Sequence, residues 1–166
     1  MITKTAKVDS LNTLMAVTTL SGRRFSFIDK DFTNIPMHDL AWSISRQIRF
    51  LGHTKNEWNV ASHSLLVMDL AEYRTAQICA LMHDVVEAVT VDLPRGLKAW
   101  VNEVSGNAFT ALQDDLFERA MYRYFPHIKY TDRDLRIVKG IDDCVNDFEY
   151  VAVKKNVNHT SHKFWS

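Results

Sequence analysis

Only two cysteines, three prolines and five glycines occur in 166 residues, and each scarcity excludes something. Two thiols cannot build a disulfide framework. Cys79 and Cys144 both sit in apolar helical patterns and read as small buried hydrophobes, which fits a reducing compartment. So little Pro and Gly leaves no Pro/Gly/Ser-rich linker, and neither an internal repeat nor a low-complexity tract is present. There is also no surplus of either charge. Twenty Lys and Arg stand against twenty Asp and Glu, so no global field recruits nucleic acid or an anionic membrane. No apolar run reaches the roughly eighteen residues of a spanning helix, and the N-terminal MITKTAKVDS lacks the apolar core of a signal peptide. A cytoplasmic location is expected, with neither nucleic acid nor membrane as a partner. What remains, 46% hydrophobic and 24% charged residues, is ordinary for one globular domain spanning 1–166.

Helical periodicity dominates the chain. Strand-favouring residues from Leu14 to Leu20 and from Arg23 to Ile28, joined by Ser21-Gly22, predict a small hairpin. Asp39 can cap a helix to about Leu51, with Ala41, Trp42, Ile44, Ser45 and Ile48 as its inner stripe and Gly52 as its stop. Further helices are expected over Asn59 to Tyr73, Thr75 to Val89, Leu97 to Val104 and Ala108 to Phe125, the last stopped by Pro126. A final helix capped by Asp132 or Asp134 carries Val138, Ile141, Val145, Phe148 and Ala152 at three- and four-residue steps. Beyond Lys155 the polar NVNHTSHKFWS reads as a tail, in which His159 and His162 are solvated.

The chemistry is densest between Asn59 and Lys98, in NVASHSLLV and ALMHDVVEAVTVDLPRGLK. His83 and Asp84 adjoin in an apolar segment, where an ionised Asp is costly without compensation. A divalent cation is the simplest compensation. Glu87 follows Asp84 by three residues and His83 by four, on the same helical face one turn along. A lone His in an apolar helix is commonly a packed core residue, but His63 upstream and Asp92 in a VTVDLP turn favour a metal site. Imidazole nitrogens and carboxylate oxygens suit Co, Mn, Zn, Ni, Fe or Mg. A cation so held can polarise a phosphoryl oxygen and orient an in-line attack, which makes phosphate-ester hydrolysis the reaction class. No His-Glu-x-x-His is present, which disfavours a zinc protease.

Taken in order, ASHSLLV, LMHDVVEA and VDLPRGLK, with SGRRFSFID and DLAWSISRQIRFLGHT upstream, resemble the HD-domain metal-dependent phosphohydrolases. Within these they resemble most the small phage deoxyadenosine triphosphate triphosphohydrolases and the bacterial 5′-deoxynucleotidases. The likeness covers most of Ser21 to Lys155, leaving 156–166 as a tail. It implies an all-α fold, a compact HD-domain helical bundle with a small N-terminal β-hairpin. It also implies a metal held by His63, His83, Asp84 and an Asp near the start of the last long helix. IKYTDRDLRIV matches best with Asp132 in that role, while Asp134, Asp142 and Asp143 are the neighbours to which a shifted alignment would move it. By the same resemblance Glu87 is an acid/base or water-orienting residue, and Asp92 supports the attacking water or the leaving oxygen. Arg49 lies near the substrate phosphate and sugar, and Phe50 stacks on or encloses the nucleoside. Arg95 and Lys98 extend the anion-binding surface, and His53 is a structural or pocket residue. Only twenty residues separate His63 from His83, fewer than is usual in this branch, so a short connection around Glu72 to Thr75 is expected.

The implied activity is hydrolysis of a small-molecule deoxynucleotide. Deoxyadenosine triphosphate, cleaved to deoxyadenosine and triphosphate, is the expected substrate, with the monophosphate as a second one. A 5′-deoxynucleotidase is the alternative, and a catalytically silent helical metal- or partner-binding module is the alternative of another class. The compartment is the host cytoplasm if the chain is phage-encoded. A homo-oligomer is expected, with Trp100 and Trp165 available for interfaces, although no heptad seam specifies its order.

Overall fold

The structure is a computed structural model that describes residues 13–154. MITKTAKVDS and the tail with His159, His162 and Trp165 lie outside the described residues. The fold is all-α with one small antiparallel hairpin, β1 (Ala16–Thr18) and β2 (Arg24–Ser26), in which Val17 faces Phe25. Gly22 takes φ 75° in the connecting turn, a conformation that glycine alone adopts without penalty. Phe25 is fully buried and stacks against Phe32, its ring centroid 4.8 Å away, so a single aromatic side chain pins the hairpin to the helices.

The helix expected from Asp39 to Leu51 is shorter. Helix α1 (Met37–Ile44) starts after Pro36 without a side-chain cap. Asp39 is buried instead, accepting hydrogen bonds from the Ser21 hydroxyl at 2.6 Å, the Ser21 N–H at 3.2 Å and the Thr19 hydroxyl. Leu40 and Ile44 face the core, whereas Ala41, Trp42 and Ile48 are exposed. After α1 the chain extends, and Ile48 forms a bridge with Asn59. A short turn, Arg49–Gly52, follows, in which Phe50 and Leu51 both take left-handed φ values of 56° and 55°.

Asn59 caps α2 (Val60–Leu70) by accepting from the Ser62 N–H at 2.8 Å. Helix α3 (Arg74–Met82) ends before His83, so the helix expected over Thr75 to Val89 is interrupted by a turn through 83–86 before the single turn α4 (Glu87–Thr90). Helix α5 (Arg95–Ser105) follows Pro94 and buries none of its residues; Gly106 and Asn107, both left-handed, lead into α6 (Ala108–Tyr124). Helix α7 (Asp132–Glu149) is capped by Thr131, which forms a reciprocal capping box with Asp134, and it runs into a π-turn at Tyr150–Lys154.

Helices α2, α3 and α7 pack together as the centre of the domain, α5 packs on α6, and α1 packs on α4. The core includes Val67, Cys79, Met82, Leu116, Met121, Val138 and Val145. Full burial of a side chain such as Leu116 contributes about 1.5–3 kcal/mol. Cys79 is buried as expected, and burial drives its thiol up to about 11. Cys144 is exposed, contrary to its apolar context, and Phe148 is 56% exposed because the end of α7 turns that flank to solvent. Trp100 is 62% exposed on α5. Among the described residues no helix is long and apolar enough to cross a membrane.

Candidate metal centre

Four side chains converge where α2, the end of α3 and α7 meet. His63 Nε2 lies 3.0 Å from Asp142 Oδ1, 3.3 Å from His83 Nε2 and 3.6 Å from Asp84 Oδ2. His83 Nε2 lies 3.2 Å from Asp84 Oδ2 and 3.8 Å from Asp142 Oδ1. The turn at 83–86 lets neighbours in sequence reach the same point, because the chain leaves the regular helix where both side chains are needed.

Each histidine's hydrogen-bond partner sets its tautomer. His83 Nδ1 stands 2.6 Å from the Ala80 carbonyl, which can only accept, so the proton sits on Nδ1. His63 Nδ1 donates to Glu149 Oε1 at 2.7 Å. With the proton of each ring on Nδ1 alone, both Nε2 atoms present lone pairs to the two carboxylates, and such an array of acceptors needs a positive charge at its centre. Ligand atoms about 2.1 Å from an ion stand about 3.0 Å apart at right angles and about 3.4 Å apart at tetrahedral angles. The separations of 3.0, 3.2 and 3.3 Å fall in that range and those of 3.6 and 3.8 Å lie just beyond it, and His63, His83 and Asp142 can hold a metal ion, with the Asp84 carboxylate beside them.

Protons take the cation's place when it is absent. Burial alone would push His83 down, but Asp84 and Asp142 override it and hold the imidazolium up to about 10. His63 is likewise opposed by burial and raised by Asp142 and Glu149. Despite burial, the His83 imidazolium depresses Asp84 to about 2, and the hydrogen bonds from His63 and His83 bring Asp142 well below the carboxylate range. Binding an ion therefore displaces protons.

Asp132 is not part of this cluster. It is exposed in the first turn of α7, ten residues and so about 15 Å along the helix from Asp142. That end of α7 is tied elsewhere, since the Tyr73 hydroxyl donates to Asp134 Oδ1 at 2.6 Å. The carboxylate beside the histidines is that of Asp142, near the middle of the helix and not at its start.

A cavity of about 970 Å³ opens over the cluster. Glu87 and Asp92 line it together with Arg49, Phe50, His53, Arg95 and Lys98. Glu87 is 7% exposed, and its Oε2 has no hydrogen-bond partner among the described residues. Burial, with Asp84 and Asp92 facing it, raises Glu87 to about 9. Burial raises Asp92 too, against the pull of Arg49. Arg49 is largely occupied within the protein: Nε donates to Glu149 at 3.2 Å, Nη2 donates to Asn146 at 2.6 Å, and Nη1 lies 3.7 Å from Asp84. Arg95 is at the exposed rim and pairs with Asp143 at 3.3 Å.

The sequence reading missed Glu149, which joins His63 to Arg49 from a fully buried position. It also missed Asn146, which donates to Asp142, Lys139, which donates to Asp142 Oδ2 at 3.2 Å, and Gln47. Lys139, Asp142, Asn146 and Glu149 stand at i, i+3, i+7 and i+10, and this polar stripe at helical spacing was the available signal.

Fold and site together define a helical domain with a candidate divalent-metal centre at the floor of a polar cavity. No protein-family model matches the chain. It is similar to YfdR of Escherichia coli (strain K12), an uncharacterised protein, with 39% identity over 84 residues. The match takes in 49% of this chain and 46% of that protein, so it spans about half the length of the relative.

Proposed function

We propose that this domain hydrolyses deoxynucleotides with a divalent cation held by His63, His83, Asp84 and Asp142. Deoxyadenosine triphosphate is the favoured substrate, and it yields deoxyadenosine and triphosphate. The observation that carries the reading is the convergence of two imidazole lone pairs and two carboxylates at the floor of a cavity that also holds Glu87 and Asp92. A purely structural metal site has no use for two further carboxylates with raised proton affinity beside it. The choice of adenine and of the triphosphate rests on the resemblance to the phage enzymes.

The bound cation supplies Lewis-acid polarisation of a phosphoryl oxygen and neutralises charge there. Acidic side chains outnumber basic ones around the cavity, so a polyanion enters only when a cation offsets them. The reaction adds the oxygen of water to the α-phosphorus and breaks its bond to O5′. In this reading Glu87 and Asp92 take the proton from the water and return one to O5′. Burial raises the proton affinity of both groups, that of Glu87 to about 9, which favours proton exchange at the reacting oxygens. Arg49 braces Asp84 and Glu149, and Lys98 supplies positive charge on the cavity wall.

The test is a chromatographic assay of the four deoxynucleoside triphosphates and their monophosphates on protein of measured metal content. Release of deoxyadenosine and intact triphosphate supports the reading, and single phosphate from monophosphates alone makes the protein a 5′-deoxynucleotidase. Metal without any turnover makes it a silent module. Glu87→Ala is expected to keep its metal while losing turnover.

A further inference from the structure

Val91 adopts φ 72° and ψ 150°, a region of backbone space essentially reserved for glycine and costly for a β-branched residue. Its side chain is 50% exposed, so burial does not compensate for the conformation. Such a backbone persists only where its surroundings over-determine it, and here they do. The Val91 N–H donates to the Glu87 carbonyl at 2.8 Å, and the next N–H, that of Asp92, donates to Gln47 Oε1 at 3.1 Å. The Gln47 amide nitrogen donates to the Glu87 carbonyl at 2.8 Å and to the Ser43 hydroxyl oxygen at 3.2 Å. Reversing the amide would set N–H against N–H and oxygen against oxygen, so the orientation is unambiguous. Gln47 is anchored in turn, since its own carbonyl accepts from the Val60 N–H at 3.0 Å, at the start of the helix that carries His63. One residue, through its side chain and its main-chain carbonyl, therefore ties the metal-bearing helix α2, the carbonyl of Glu87 and the backbone of Asp92 into a single unit.

We propose that Gln47 and the strained Val91 form a clamp that fixes where the Asp92 carboxylate stands relative to the metal centre, which makes both of them positioning residues. The inference rests on the proposed hydrolysis and adds to it a reason for the backbone strain. Neither residue touches the cluster, so both act through Asp92.

The experiment uses the full chain loaded with Co or Mn, and it compares Val91→Gly, Gln47→Leu and Asp92→Asn. Metal content and KM are expected to stay near wild type in the two clamp variants, while kcat falls ~10–100-fold, as for a displacement of about 1 Å. Val91→Gly is expected to unfold at the same or a higher temperature than wild type while turning over more slowly, a pairing that a structural role does not produce. In an Asp92→Asn background the further loss from Gln47→Leu is expected to vanish, because the side chain acts through a group already removed. Wild-type kcat in both clamp variants at full metal occupancy, or fully additive losses in the double variant, would overturn the clamp. A joint loss of metal and thermal midpoint in Val91→Gly would overturn it too, by showing a general role in folding. An inactive wild type is a different result: it sinks the proposed hydrolysis, and the clamp's role in turnover with it.

Discussion

Glu149→Gln isolates the contribution of a charge that never touches the metal. Glu149 Oε1 lies 2.7 Å from His63 Nδ1, and a cation on the other ring nitrogen would stand ~7 Å from the carboxylate, given a metal–nitrogen bond of about 2.1 Å. At an effective dielectric constant of about 20, a net gain of one positive charge at that distance, a divalent ion less one displaced proton, is worth ~2.4 kcal/mol. That corresponds to a loss of roughly fiftyfold in metal affinity, within the ~10–100-fold seen when outer partners of ligating histidines are removed. Glutamine keeps the shape and one accepting oxygen for His63, so packing is preserved while the charge, and with it the acceptor for Arg49 Nε, is lost. The assay is competition for Co or Zn against a chelator of known affinity at pH 7.5, with circular dichroism to confirm the fold. An affinity within twofold of wild type would refute the argument that Glu149 tunes the centre through His63.

Two further outcomes follow from the same geometry. Asp142→Asn is expected to weaken metal binding by more than the ~10–100-fold of an outer partner, whereas Asp132→Asn leaves it unchanged; metal loss confined to Asp132→Asn would reverse the assignment of the α7 ligand. Hydrogen bonds from Ser21 and Thr19 lower Asp39 to about 2 from its ordinary 3.8. A carboxylate depressed in the fold contributes stability that is present above its unfolded pKa and disappears as pH falls through the folded one. Thermal midpoints measured from pH 5 to pH 2 should therefore fall less steeply in Asp39→Asn than in wild type, and identical slopes would show that Asp39 is not linked to acid unfolding.

Local pattern and tertiary geometry divide this protein between them. The all-α class with its hairpin was legible because helical periodicity and the Ser21-Gly22 turn are local properties of the chain. So was the closeness of His83, Asp84 and Glu87 along the chain, although the turn at 83–86, and not a regular helical turn, joins them. The ends of the elements were less legible. Asp39 looks like a cap until the hairpin folds across it and its carboxylate is taken by Ser21 and Thr19. Cys144 sits in an apolar pattern yet faces solvent, since periodicity identifies a stripe but not its partner.

The sequence by itself determined which residue types could make a metal centre and placed three of them, His63, His83 and Asp84, within two short segments. Which Asp of α7 joins them was decided only by tertiary structure. That helix offers Asp132, Asp134, Asp142, Asp143 and Asp147, and each stands at a different height and angle. Docking of α7 against α2 and α3, with Tyr73 holding Asp134 at one end and Glu149 meeting His63 and Arg49 at the other, sets the translation and rotation of the helix. That rigid-body placement depends on packing among residues far apart in the chain, so local spacing carries no record of it.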